Sequence, residues 1–147
     1  MLSLISMSTR ATIHFHYQTS TKPEAIIYRH GDGYPDGLGL DLQRFFLELE
    51  KHVSDRRFND PSYLAAKWVV WDADQMAQYT GLNGNKKKHK LAFLSVGVVM
   101  QDPGDIEYRY HVWCGKPQQG KDWPEVTCEH VEFESKAGKP VPIPVLK

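Results

Sequence analysis

The sequence predicts an α+β fold, in which a mainly antiparallel sheet with the element order ββ-α-α-βββ carries helices packed on one face. Three observations predict it. Residues 10–17 alternate between apolar and polar side chains, as a half-buried strand does. Apolar residues over 38–53 recur at helical spacing. Residues 91–100 are apolar almost throughout, which is typical of a central strand covered on both faces.

The first elements form a predicted hairpin. The alternation over 10–17 places the apolar side chains on one face and Thr12, His14 and His16 on the other. A polar turn and a second strand over 25–30 follow. Residues 31–39 then hold four glycines and one proline, a density that excludes a regular element and predicts a shaped loop.

Two helices are predicted after this loop. The first has Asp36 as its N-cap and carries its apolar stripe as far as Val53. Asp60-Pro61 predicts the start of the second, because Asp caps free amides and Pro suits the first helical position. The stretch Trp68-Val-Val-Trp71 has strong strand propensity, which leaves a strand as the alternative there.

The last third of the chain predicts three strands. Asp102-Pro-Gly-Asp105 is a turn sequence, so residues 106–114 are expected to return as an antiparallel partner of the apolar run before them. Residues 125–133 predict a further strand. The tail over 136–147 contains three prolines and is expected to be extended or disordered, as are residues 1–8. No repeat or shift in composition divides the chain, so residues 1–147 are predicted to form a single domain.

The charges of the chain balance, with 18 Lys and Arg against 18 Asp and Glu. A net charge of zero argues against nucleic acid as a partner, and the lysine run over 86–90 is interpreted as a solvated loop. No apolar run approaches the ~20 residues that span a bilayer, so no membrane partner is predicted. Two cysteines are too few for a disulfide framework. The protein is therefore predicted to be cytoplasmic, without a secretory signal, and to start naturally at Met1 or Met7.

The leading candidate site is the glycine-rich loop between the second strand and the first helix. Free backbone N–H groups and the positive end of a helix suit a phosphate or a carboxylate. His30 and Asp32 would supply a general base or a metal ligand, and polar residues of the first strand would lie across the hairpin. The alternative is a tight turn in which Asp32 caps backbone donors while Tyr34 and Pro35 pack on the sheet. The predicted ligand-binding residues are Arg10, Thr12, His14, Tyr28, His30, Asp32, Gly33 and Tyr34.

A second candidate combines His111-x-x-Cys114 with Cys128-x-His130, which offer the side chains that zinc prefers. A separation of three puts His111 and Cys114 on opposite faces of a flat strand, and the Cys-x2-Cys spacing of structural zinc sites is absent. Neither a metal site nor another cofactor is predicted.

Two segments of the chain resemble a known group of proteins. They are residues 8–15, Ser-Thr-Arg-Ala-Thr-Ile-His-Phe, and residues 28–37, Tyr-Arg-His-Gly-Asp-Gly-Tyr-Pro-Asp-Gly. They resemble a loose family of small uncharacterised proteins of bacteriophages and bacteria, which open with a Thr-Arg strand and carry a His-x-Asp-Gly-Tyr-Pro signature. The resemblance ends at the first helix. It implies a bacteriophage or mobile-element context, and interference with host defence as one role of such accessory proteins.

These observations predict a non-enzymatic binding protein that uses the glycine-rich loop to engage an anionic small molecule or a host protein. The alternative is a metal- or His-dependent hydrolase of a phosphorylated substrate, with His14, His30 and Asp32 as ligands or acid–base groups. The oligomeric state stays open.

Overall fold

The computed structural model describes residues 9–81, 91, 94–117, 121–132 and 137–147. Within them the chain forms a six-stranded sheet with strand order β3-β2-β1-β4-β5-β6 and two α-helices. The elements are β1 (Ala11–Tyr17), β2 (Ala25–Arg29), α1 (Leu40–His52), α2 (Pro61–Gly81), β3 (Val96–Val99), β4 (Tyr108–Pro117), β5 (Pro124–Val131) and β6 (Gly138–Val141).

The α+β class is confirmed, but the prediction of a mainly antiparallel sheet is wrong because the sheet is mixed. β1 and β4 are parallel neighbours at its centre, whereas the other neighbouring pairs are antiparallel. β4 is therefore not the hairpin partner of β3 that the turn sequence predicts. Pairing with β1 places Tyr110 beside Ile13 and Val112 beside Phe15, and all four side chains are completely buried. This gain comes from distant parts of the chain, and a local turn sequence cannot reveal it.

The apolar run over 91–100 does not form a central strand. Its paired part, β3, lies at an edge of the sheet, and Val98 is 77% exposed. Residues 92 and 93 lie outside the described part of the chain.

The C-terminal tail contributes a strand of its own, so four strands follow the helices in the described part of the chain instead of three. β6 pairs with β5 at the opposite edge of the sheet. Beyond β6, the Gln43 side chain donates to the carbonyl of Pro144 at 2.7 Å and accepts from the amide of Leu146 at 2.8 Å. These bonds attach the tail to α1.

Both predicted helices form. α1 follows a single π-helical turn, Pro35–Gly39, so Asp36 lies inside that turn and is not an N-cap. Asp60 does cap α2, since its Oδ1 accepts from the amide of Tyr63 at 3.4 Å. The strand alternative for residues 68–71 is wrong, because these residues belong to α2. From this helix the Trp68 side chain is fully buried and packs against Phe45. Apolar packing of the helix against the sheet outweighs the strand propensity of this stretch.

The helices pack on the sheet face that carries Ile13 and Phe15. A charged group also joins the two layers on this side. The buried Arg29 of β2 donates to Asp41 of α1 at 2.8 Å, and its guanidinium lies 3.8 Å from Asp72 of α2. Because the helices cover this side, the opposite face of β1 and β4 is left to mainly polar residues.

Candidate functional site

The sheet face opposite the helices, here called the histidine face, carries Thr12, His14 and His16 from β1. Alternate residues of a strand share a face, so these three point away from Ile13 and Phe15. The parallel register puts Thr12 beside Arg109, His14 beside His111, and His16 beside Trp113. On the other side of β4, Arg109 pairs with Glu129 of β5. Three neighbouring strands, β1, β4 and β5, therefore bring their ionisable side chains to one area.

Asp102, in the connection between β3 and β4, joins three of these side chains. Its Oδ1 accepts from the Thr12 hydroxyl at 2.6 Å and lies 2.7 Å from Nε2 of His14. Its Oδ2 accepts from Nε of Arg109 at 2.6 Å. Burial alone would raise the pKa of Asp102, but these donors outweigh it and hold that pKa well below its ordinary range. Asp102 is therefore an ionised hub of the network.

Glu129 extends the network to the second histidine. It accepts from Nη1 of Arg109 at 2.9 Å and lies 3.3 Å from Nε2 of His111. Burial acts to raise its pKa, but the two donors outweigh burial and lower it. Glu129 is thus an ionised acceptor for the His111 ring.

The third imidazole is the most buried. His16 is 1% exposed, and its Nε2 lies 2.8 Å from Nδ1 of His111. Burial lowers the pKa of His16 to about 4, helped by repulsion from His111 and His14. Burial also lowers the pKa of His111, although Glu129 opposes the shift. Both rings are therefore neutral at pH 7.

The hydrogen bonds then assign the protons of these two rings. Ionised Glu129 takes the Nε2–H of His111, so Nδ1 of the neutral His111 ring is an acceptor. His16 must consequently donate from Nε2, which leaves its Nδ1 as a bare acceptor. That atom is buried and has no hydrogen-bond partner among the described residues. A buried acceptor without a donor costs free energy in this arrangement.

Trp113 forms one wall of the site. Its ring stacks on His16 with 4.4 Å between centroids and 15° between planes, and on His111 at 5.5 Å and 20°. The indole N–H donates to the hydroxyl of Thr127 at 3.1 Å. Trp113 therefore holds both imidazole planes and is positioned to report on them by fluorescence.

His14, His16 and His111, here called the histidine cluster, each offer one metal-ligating atom, and these atoms lie within 4.8 Å of one another. Among the described residues, this is the only group of three or more such side chains close enough to hold one ion. The structure does not bring together the zinc-ligand candidates around Cys114 and Cys128. Both thiols are buried in the core on the helix side, where burial raises each pKa to about 12, while His111 lies on the opposite face.

The glycine-rich loop uses several of its amides within the protein. The amide of Gly33 donates to the carbonyl of Thr9, that of Gly37 to Tyr34, and that of Leu38 to Asp32, each at 2.9 Å. Gly33 also packs against β1 so closely that an added Cβ would lie 2.7 Å from the Cβ of Ala11. The carbonyl of Gly33 accepts from the buried Tyr110 hydroxyl at 2.7 Å. These contacts hold the loop against the sheet.

The other predicted site residues lie near this loop. Tyr28, opposite Thr12 in the sheet, has its hydroxyl 3.0 Å from Nδ1 of His30. Arg10 pairs with Asp105 at 3.4 Å. Asp32 adopts a φ of 53° and accepts from the Tyr34 hydroxyl at 3.2 Å.

Of the eight predicted residues, only Thr12 and His14 belong to the network around Asp102 and Glu129. His30 and Asp32 are not members of the histidine cluster. The alternation over residues 10–17 predicts His16 on the polar face of β1, and Arg109 and His111 alternate with apolar residues along β4 in the same way. Joining these strands required the parallel pairing, which no local signal indicates.

Among the described residues, no helix is long and apolar enough to cross a membrane. No known protein family, curated protein or solved structure matches this chain.

Proposed function

We propose that this protein is a ligand-binding protein whose binding site is the histidine face, at the histidine cluster and the carboxylates of Asp102 and Glu129. The observation that supports it best is the continuous, largely buried network that connects these groups. Removing ionisable groups from water costs free energy, and apolar residues of similar size often give equal or greater stability. Strongly shifted pKa values concentrated in one place are characteristic of functional sites.

The histidine face is a better location for the ligand than the glycine-rich loop. Three amides of the loop donate within the protein, two to carbonyls of the loop itself and one to the carbonyl of Thr9, so those donors are not offered to an anion. The exposed residues Asp32 and Asp36 would repel an anion there. We assign the loop a supporting role, since Gly33 packs directly on the first residue of β1.

A thermal-shift panel tests this location. The probes are inorganic phosphate, citrate, AMP, Zn²⁺, Ni²⁺ and Mn²⁺, each added to the wild type, to His111→Gln and to the loop control Asp32→Asn. We expect at least one probe to raise the melting temperature of the wild type and of Asp32→Asn but not of His111→Gln. Stabilisation that is lost only in Asp32→Asn would move the site to the loop. No stabilisation by any probe, with no copurifying species in native mass spectrometry, would contradict the proposal.

A second candidate function, hydrolysis of a phosphorylated substrate, is favoured by one observation. Two imidazoles each face a carboxylate, His14 at Asp102 and His111 at Glu129. A carboxylate that accepts one ring proton orients the imidazole and strengthens it as a general base.

Hydrolysis of p-nitrophenyl phosphate, with and without divalent ions, tests this second function. We expect Glu129→Gln to reduce the rate. Glu125→Gln, on the same strand and paired with Lys116, is the matched control and should leave the rate unchanged. Equal rates in both variants would argue against the function.

A further inference from the structure

We propose that the histidine cluster binds a divalent transition-metal ion, with His14, His16 and His111 as its protein ligands and with Asp102 and Glu129 orienting two of the rings. This inference rests on the proposed placement of the ligand on the histidine face and names the class of ligand that binds there.

The spacing of the nitrogens fits one ion. Three ligand atoms lie within 4.8 Å of one another, and Nε2 of His16 is 2.8 Å from Nδ1 of His111. A tetrahedral ion with metal–nitrogen bonds of about 2.0–2.1 Å separates its ligands by about 3.3 Å. An ion would therefore replace the hydrogen bond between these two rings with a small outward shift of each.

The surroundings of the rings match those of histidine ligands. A metal-bound imidazole usually donates its other N–H to a carboxylate or a carbonyl, which fixes its tautomer and orientation. Glu129 already accepts from Nε2 of His111, which leaves Nδ1 directed at His16. Asp102 holds His14 in the same way through Nε2.

Metal binding would change the proton position on His16. Without a metal, its Nε2 carries the proton and its buried Nδ1 is a bare acceptor. Binding of an ion at Nε2 would displace the proton from that atom to Nδ1, so the unsatisfied acceptor would become a donor.

Charge also favours a cation. Asp102 and Glu129 carry two negative charges and Arg109 carries one positive charge, so these three groups beside the rings have a net charge of minus one. Three nitrogen donors select Zn²⁺, Co²⁺, Ni²⁺ or Cu²⁺ over Mg²⁺ and Ca²⁺, which prefer oxygen. The three rings match the ligand set of catalytic zinc sites, in which the fourth position stays open to water or substrate.

Two measurements test the site: calorimetric titration with Zn²⁺ and absorption spectroscopy with Co²⁺. Both use the chelator-treated protein at pH 7.5. We expect the wild type to bind one ion per chain and Glu129→Gln to bind about 10- to 100-fold more weakly. His14→Gln and His111→Gln should lose at least as much as Glu129→Gln. The matched control is His30→Gln, an exposed histidine outside the cluster, and it should bind like the wild type.

A measurement on the wild type keeps the test independent of variant folding. Diethylpyrocarbonate modification, mapped by mass spectrometry, should be suppressed by Zn²⁺ at His14 and His111 and unchanged at His30. The proposal is overturned if the wild type binds neither ion, if His14→Gln and His111→Gln bind like the wild type, or if His30 is protected equally. If neither metal binds, but an organic probe from the thermal-shift panel stabilises the wild type and not His111→Gln, the proposed function stands and only the metal is ruled out.

Discussion

Acidification should destabilise the metal-free protein because His16 must be neutral in the fold. Its folded pKa is about 4 against an ordinary value of 6.5, so the unfolded chain binds the proton more tightly. A histidine of this kind contributes its full stabilisation above pH 6.5 and loses it as the pH falls toward 4. At about 1.4 kcal/mol per pKa unit, the total effect is about 3 kcal/mol. About 2.5 kcal/mol of it should be lost between pH 7 and pH 4.5.

Urea unfolding at pH 7, 6, 5 and 4.5, in the presence of a chelator, measures this loss. His111 should add to it, because the pKa of that ring is also lowered. The window stops at pH 4.5, because Asp102 and Glu129 have lowered pKa values and their contributions are lost at still lower pH. A loss of about 2.5 kcal/mol is a large share of the ~5–15 kcal/mol that stabilises a typical domain, so it is easily resolved.

Two variants isolate the effect of His16. His16→Gln removes the titrating ring, so its free energy of unfolding should fall less steeply between pH 7 and 4.5 than that of the wild type. His52→Gln is the control, since His52 is exposed and lies 3.9 Å from Glu48, and it should keep the wild-type slope. Equal slopes in His16→Gln and the wild type would refute the reasoning that burial holds this ring neutral.

Three further substitutions test the fold and the network, each by urea unfolding at pH 7. Gly33→Ala should cost about 1–3 kcal/mol because its added Cβ would lie 2.7 Å from a Cβ of β1, while Gly31→Ala, where nothing lies within 4 Å, should be far milder. Similar costs at both glycines would contradict the close approach. Trp68→Ala should cost about 3–5 kcal/mol, and a much smaller loss would place Trp68 outside the core. Asp102→Asn should lower the free energy of unfolding by about 2–3 kcal/mol. This is less than the cost of breaking a fully buried ion pair, because the Asp102 side chain is 18% exposed. An unchanged free energy of unfolding would show that Asp102 does not hold the network together.

The local part of the fold could be predicted from the sequence. The alternation along β1 depends only on the period of a strand, and it correctly put His14 and His16 opposite Phe15. The cap at Asp60 likewise depends on neighbouring residues alone. Both signals depend only on short segments, so the structures that they predict do not depend on how distant segments pair.

The pairing of distant segments could not be predicted in this way. Asp102 belongs to a turn sequence, and nothing nearby indicates that its carboxylate meets Thr12 and His14, which lie 90 and 88 residues away. Sequence spacing associates His111 with Cys114, its neighbour along β4, whereas its partner in space is His16 of β1. The candidate site therefore depends on β1 and β4 being side by side.

The apolar core sets the geometry of the histidine cluster. Ile13 lies beside Tyr110 and Phe15 beside Val112, all four completely buried, and this packing fixes the register of β1 against β4. A slip of one residue would turn the buried residues of one strand toward the polar side, which costs several kcal/mol. The same register places His14 level with His111 on the opposite face. Because this register is held by a packed core and not by a loop, the alignment of the two strands that carry the imidazoles should be maintained whether or not a ligand is bound, and only small side-chain shifts are needed to take up an ion.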